Sequence, residues 1–145
     1  MELYDDAHTA VNDFSVFQGR FLKVRNGFED FFANFNPEKL NIRGISAELD
    51  TVAGTCVFNA YGRKFMATLT PLLINKTPYG NIEFLEVIEK KRISIERFLI
   101  TYQQNITTLA GETLMPASDF SNVQTCYILN LLNRGLSRPI TSADY

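Results

Sequence analysis

The chain has 145 residues, 46% of them hydrophobic and 21% charged, with a formal net charge of −2. That length suits one domain with a core of its own, and that balance excludes a disordered chain. The 14 basic and 16 acidic residues are mixed along the sequence, so no basic face offers itself to phosphates and no nucleic-acid partner is expected.

The first residues, Met1-Glu2-Leu3-Tyr4-Asp5-Asp6, are acidic and lack an apolar run, so no signal peptide is expected. No apolar segment reaches the ~18 residues of a membrane span. The expected location is the cytoplasm, with no membrane partner.

Asp5 and Asp6 favour a helix start, by capping and by their charge against the helix dipole. From Ala10 the apolar residues recur at steps of four and three: Ala10, Phe14, Phe17, Phe21, Val24, Phe28, Phe31 and Phe35. This spacing puts them on one stripe of a long helix. Gly19 and Gly27 fall off the stripe, so no close backbone approach is expected there. Asn36-Pro37 ends the helix, because Pro cannot continue it. A 3.5-residue repeat also fits a coiled coil, but Phe overfills coiled-coil holes, and a helix lying across a sheet accommodates the rings better.

From Ile42 the period becomes two. Ile45, Ala47 and Leu49 alternate with polar residues, and a turn follows at Thr51–Gly54. A second strand covers Thr55–Tyr61 and a third Lys64–Pro71, where Pro marks a strand end or edge. Asn75 to Gly80 has the composition of a loop. A fourth strand runs from Asn81 to about Glu89, and a fifth from Arg92 to about Tyr102. A short sixth, near Ile106–Leu109, is conceivable. A second helix is expected from about 118 to 134. Ser121 and Gln124 have capping-box spacing, Asp119 is a competing cap, and the apolar face is Val123, Tyr127, Ile128, Leu131 and Leu132. The expected fold is α+β: a two-layer sandwich with a long N-terminal Phe-rich helix, a five-stranded antiparallel meander over about 42–103, and a C-terminal helix. Residues 1–137 form a single domain, and 138–145 a loose tail.

The sequence offers little for catalysis. His8 is the one histidine, at a helix start, where a triad would have to use it. One His and two scattered Cys do not make a zinc site. Glycine-rich phosphate loops are missing from the sequence. Glu48, Asp50, Glu83, Glu89 and Glu96 read as a solvated sheet face with basic neighbours. No catalytic, cofactor-binding or metal residues are therefore assigned. Cys56 and Cys126 sit in apolar stretches; buried thiols and a bridge between them are both compatible with the sequence.

Two features point further. Leu22, Phe32, Leu85 and Val87 exceed what one two-layer core needs, and surplus apolar surface marks an interface. These four are the candidate interface of a homodimer or of a complex with another protein. The rings of Phe14, Phe17, Phe21, Phe28 and Phe31 are candidate lining for a cavity between helix and sheet. The expected function is a small non-enzymatic protein-interaction module. The alternative is a binder of an apolar small molecule.

Overall fold

The computed structural model describes residues 2–116, 122–141 and 144. Helix α1 (Glu2–Ala33) is followed by a short 3-10 turn (Pro37–Leu40) and strands β1 (Ile45–Asp50), β2 (Thr55–Ala60), β3 (Arg63–Ile74), β4 (Thr77–Ile88), β5 (Lys91–Thr101), β6 (Ile106–Thr107) and β7 (Thr113–Met115). Helix α2 (Asn122–Leu136) comes last. The strands form one antiparallel sheet in sequence order. The α+β class holds, but the sheet has seven strands rather than five, and it is curled rather than laid flat as one layer of a sandwich. The added strands β6 and β7 span two and three residues, too few for alternation to show in a sequence. A bulge contributes to the curl: Phe84 pairs with Glu96 and Leu85 with Ser94, leaving Ile95 without an opposite residue.

The β3–β4 hairpin is longer than its sequence suggests. Pro71 lies inside β3 opposite Gly80, and pairing continues to Ile74 opposite Thr77. Asn75 and Lys76 both take positive φ, 50° and 60°, which makes the two-residue turn whose twist matches a hairpin. The stretch 75–80, expected as loop, is thus a tight turn followed by strand.

The second half of α1 lies on the apolar face of the sheet. Val24, Phe28, Phe31 and Phe32 join Phe58, Phe65, Ile82, Phe84, Phe98 and Ile100 in the core, with Ile128, Leu131 and Leu132 from α2. The rings touch in sequence: Phe31 to Phe32 at 4.9 Å, Phe32 to Phe58 at 5.9 Å, Phe58 to Phe84 at 5.9 Å and Phe84 to Phe65 at 5.7 Å. Each buried ring contributes about 2 kcal/mol by leaving water, and each well-placed pair adds roughly 0.5–1.5 kcal/mol.

Gly27 corrects an expectation. It is buried, and a Cβ there would lie 2.8 Å from Ile100 Cδ1 and 2.9 Å from Gln104 Cγ. α1 approaches the side chains of Ile100 and Gln104 closely at this point, so a larger residue would have to displace them, although Gly27 sits beside the Phe stripe rather than on it.

Helix α2 buries Ile128, Leu131 and Leu132 as expected, but Val123 faces out and Gln124 and Thr125 face in. The Thr125 hydroxyl accepts from the Asn36 amide at 3.3 Å and donates to the Asn34 carbonyl at 3.4 Å, tying the start of α2 to the end of α1. Those bonds explain the rotation, since they bring a polar residue to the helix junction. Ser121 and Asp119, the expected caps, lie outside the described residues. Both cysteines are free; Cys56 is buried, whereas Cys126 is exposed and so is neither a buried thiol nor half of a bridge.

Candidate interaction surface

Among the described residues, the one charged side chain that is fully buried is one the sequence did not single out. Glu86 is 1% exposed on the core side of β4. Arg63 grips its carboxylate through Nε at 2.7 Å and a terminal nitrogen at 2.6 Å, and Arg138 adds a bond at 3.1 Å. Arg63 also donates to the carbonyls of Leu136, Gly135 and Arg138 at 3.2, 3.3 and 3.0 Å, so it caps the negative end of α2. Arg138 reaches Asp144 at 3.0 Å. Two cations and two carboxylates thus alternate in one chain and fix residue 138, the first of the segment expected to be loose. A signal existed in the sequence: Glu86 is in phase with the apolar Ile82 and Phe84. With its oxygens occupied by guanidinium donors, this carboxylate is arranged to hold a helix end.

The other carboxylates face outward. Glu83 pairs with Arg97 at 2.6 Å and accepts from Ser94 at 3.3 Å, while Glu96 pairs with Arg134. Asp50 accepts from the amides of Val52 and Ala53 at 3.0 Å each and so braces the β1–β2 turn. Among the described residues no three metal-capable side chains converge, and His8 is exposed. A groove of about 460 Å³ between α2, β5 and the β6–β7 loop is bordered by Glu96, Arg97 and Arg134. Burial and the neighbouring Glu96 hold the Tyr127 phenol in it above its ordinary pKa, so the ring stays neutral there.

What is left over is the first half of α1. Val11 is 67% exposed, Phe14 60% and Leu22 59%, while Phe28, on the same helix, is 0% exposed. Of the three exposed residues only Phe14 belongs to the stripe; Val11 and Leu22 lie off it, and Phe17, on the stripe, is buried. A 3.5-residue repeat on a straight helix drifts by about 20° per heptad, so Phe14 points away from the line through Val24 and Phe31 that faces the sheet. Lys76, at the tip of the β3–β4 hairpin, pairs with Asp13 at 3.4 Å.

Beside this flank runs a half-open groove of about 230 Å³, lined by Phe21, Val24 and Arg25 of α1, Val52, Ala53 and Gly54 of the β1–β2 turn, and Leu69, Thr70 and Pro71 of β3. Arg25 closes one side by donating to the carbonyls of Thr51 and Val52 and pairing with Glu29 at 3.5 Å. Phe14 lies two turns before Phe21 on the same side of α1, and Leu73 follows Pro71 on the same side of β3. Leu73 is itself exposed.

The four residues expected at an interface separate. Leu22 is on the open flank, Val87 is half-buried, Leu85 is 2% exposed, and Phe32 is in the core. The five expected to line a cavity separate too. Phe28 and Phe31 are packed in the core, Phe17 is buried against Phe14 at 5.3 Å, Phe21 lines the groove, and Phe14 stands in solvent. Phe28 falls in the core because the stripe is centred on the sheet there, and Phe32, beside the stripe, packs on Phe28, Phe31 and Phe58. Among the described residues no helix is long and apolar enough to cross a membrane.

No family model, curated protein or solved structure matches the chain.

Proposed function

We propose that this protein is a non-enzymatic interaction module that docks another protein chain on the first half of α1 and the adjoining β3 side of the hairpin. The observation that carries the reading is the contrast within one helix: the Phe28 end is sealed in the core, while Val11, Phe14 and Leu22 lie mostly in water. Apolar residues scattered singly are ordinary on a surface; what supports a docking face here is that Phe14 continues the line of Phe21 and the groove it borders. The engagement of Glu83, Glu86 and Glu96 by arginines supports the non-enzymatic part. The groove beside α1, of about 230 Å³, is smaller than the ~300–1,000 Å³ of small-molecule pockets, so at this face a protein fits better than an apolar ligand; the groove of about 460 Å³ by α2 is a separate place. The docked protein is either a second copy of this chain, giving a homodimer, or a different protein.

A photo-crosslinking residue placed in turn at Val11, Phe14 and Leu22 tests this, with Glu48 and Lys90 as exposed controls. Protein adducts at the α1 positions and none at the controls are expected. Adducts absent from all three α1 positions would overturn the reading.

A further inference from the structure

The groove between α2, β5 and the β6–β7 loop has the build of a small-molecule site, separate from the strip along α1. We propose that it binds an uncharged, ring-bearing small molecule, with the ring against Tyr127, Leu109 and Leu114 and a polar group on the Tyr127 hydroxyl. Its volume of about 460 Å³ falls within the ~300–1,000 Å³ of such sites. Its apolar walls are held in place. On the α2 side, Tyr127 meets Phe98 at 5.6 Å and Phe31 at 6.0 Å, both edge to face, which sets the direction of its ring. On the loop side, Leu109 and Leu114 stand exposed. The loop that carries Leu109 is braced by its own bonds. The Thr108 amide donates to the Glu112 carbonyl at 2.8 Å, the Gly111 amide to the Thr108 carbonyl at 3.0 Å, and the Glu112 amide to the Thr108 hydroxyl at 3.1 Å. Walls fixed beforehand cost little further order when a ligand enters.

The polar groups select the ligand's charge. Glu96 pairs with Arg134 and Arg97 with Glu83, so the rim presents no net charge to an ion. A ligand carboxylate would have to compete with Glu96 for Arg134 while lying among apolar side chains. Among the described residues the Tyr127 hydroxyl has no hydrogen-bond partner. Kept neutral by its surroundings, it can donate to or accept from a neutral polar group. A ring gains more here than an aliphatic chain, because contact with the Tyr127 ring adds to the burial of apolar area.

The test is isothermal titration calorimetry of the full chain with naphthalenemethanol, naphthoate and octanol, with amide NMR shifts to locate the bound molecule. Naphthalenemethanol is expected to bind about tenfold more tightly than naphthoate and about fivefold more tightly than octanol, with shifts at Thr108, Leu109, Leu114 and Tyr127. Leu109→Asp changes an exposed side chain, so it should leave the unfolding midpoint in place and weaken binding about tenfold. Tyr127→Phe should weaken it roughly fivefold. No binding of naphthalenemethanol at millimolar concentration, or shifts confined to other faces, would overturn the inference. So would naphthoate or octanol binding as tightly as naphthalenemethanol, or Leu109→Asp binding it like the wild type.

Discussion

At the scale of single residues, Glu86 is the polar group on which most depends. Its two oxygens serve Arg63 and Arg138, and through them the end of α2 and the residues after it. Replacing it with Gln keeps the shape but leaves two guanidiniums facing a neutral amide in a buried site. Breaking a buried ion pair by removing one partner costs ~3–5 kcal/mol, so Glu86→Gln should lower the denaturant midpoint strongly. A midpoint within error of the wild type would show that the cluster is inert. The outer member of the chain gives a pH signature. The Thr141 amide, and then Arg138, hold the Asp144 carboxyl below its ordinary pKa. A carboxylate with a lowered folded-state pKa favours the docked state at pH above its unfolded value, and the contribution is lost as pH falls through the folded value. The links of Asp144 to Arg138 and Thr141 should therefore weaken on acidification below the usual carboxylate range. The NMR shift of the Thr141 amide would report this transition, and in Asp144→Asn it should vanish. A titration of that amide unchanged by Asp144→Asn would refute the assignment.

At the scale of elements, α1 is two helices in function though one in backbone. Its glycines separate by the same division. Gly19 has no atom within 4 Å of a would-be Cβ, whereas at Gly27 one would press on Ile100 and Gln104. Gly19→Ala should stabilise by about 1 kcal/mol, the helix-propensity difference. Gly27→Ala gains the same propensity but must displace the buried Ile100 side chain, so its net effect should be destabilising. Thermal melts of the two variants should move in opposite directions; melts moving together would contradict the packing described. Much of this element was legible beforehand. Phe at steps of four and three defines a helix whatever it packs on, and the alternation through Ala47, Phe58 and Phe65 defines strands. The hairpin tip was not legible, because Pro71 and Pro78 resemble strand breakers and Lys76 carries no sequence mark of a left-handed residue. Nor was the division of Phe14 from Phe28, since a stripe read from spacing does not reveal where the sheet beneath it stops. Glu86 could have been found by its phase with Ile82 and Phe84, but its arginine partners come from distant β3 and from beyond α2.

At the scale of the whole molecule, the curled sheet and α2 complete a core that needs only the second half of α1. In the first half Phe17 is buried and Asp13 pairs with Lys76 of the hairpin, and the remainder rests on the backbone ladder of the helix itself. An isolated helix of that length is marginal in water. Its persistence outside the core is what would offer apolar side chains to the proposed partner, at the expense of local stability. The direct measurement is native-state hydrogen exchange along α1 in the isolated protein. Amides near Phe28–Ala33 should open only with global unfolding, while those from Ala7 to Phe14 should exchange orders of magnitude faster, through local opening. Protection of the first half equal to that of the second would mean its apolar side chains are already covered, and would contradict the account.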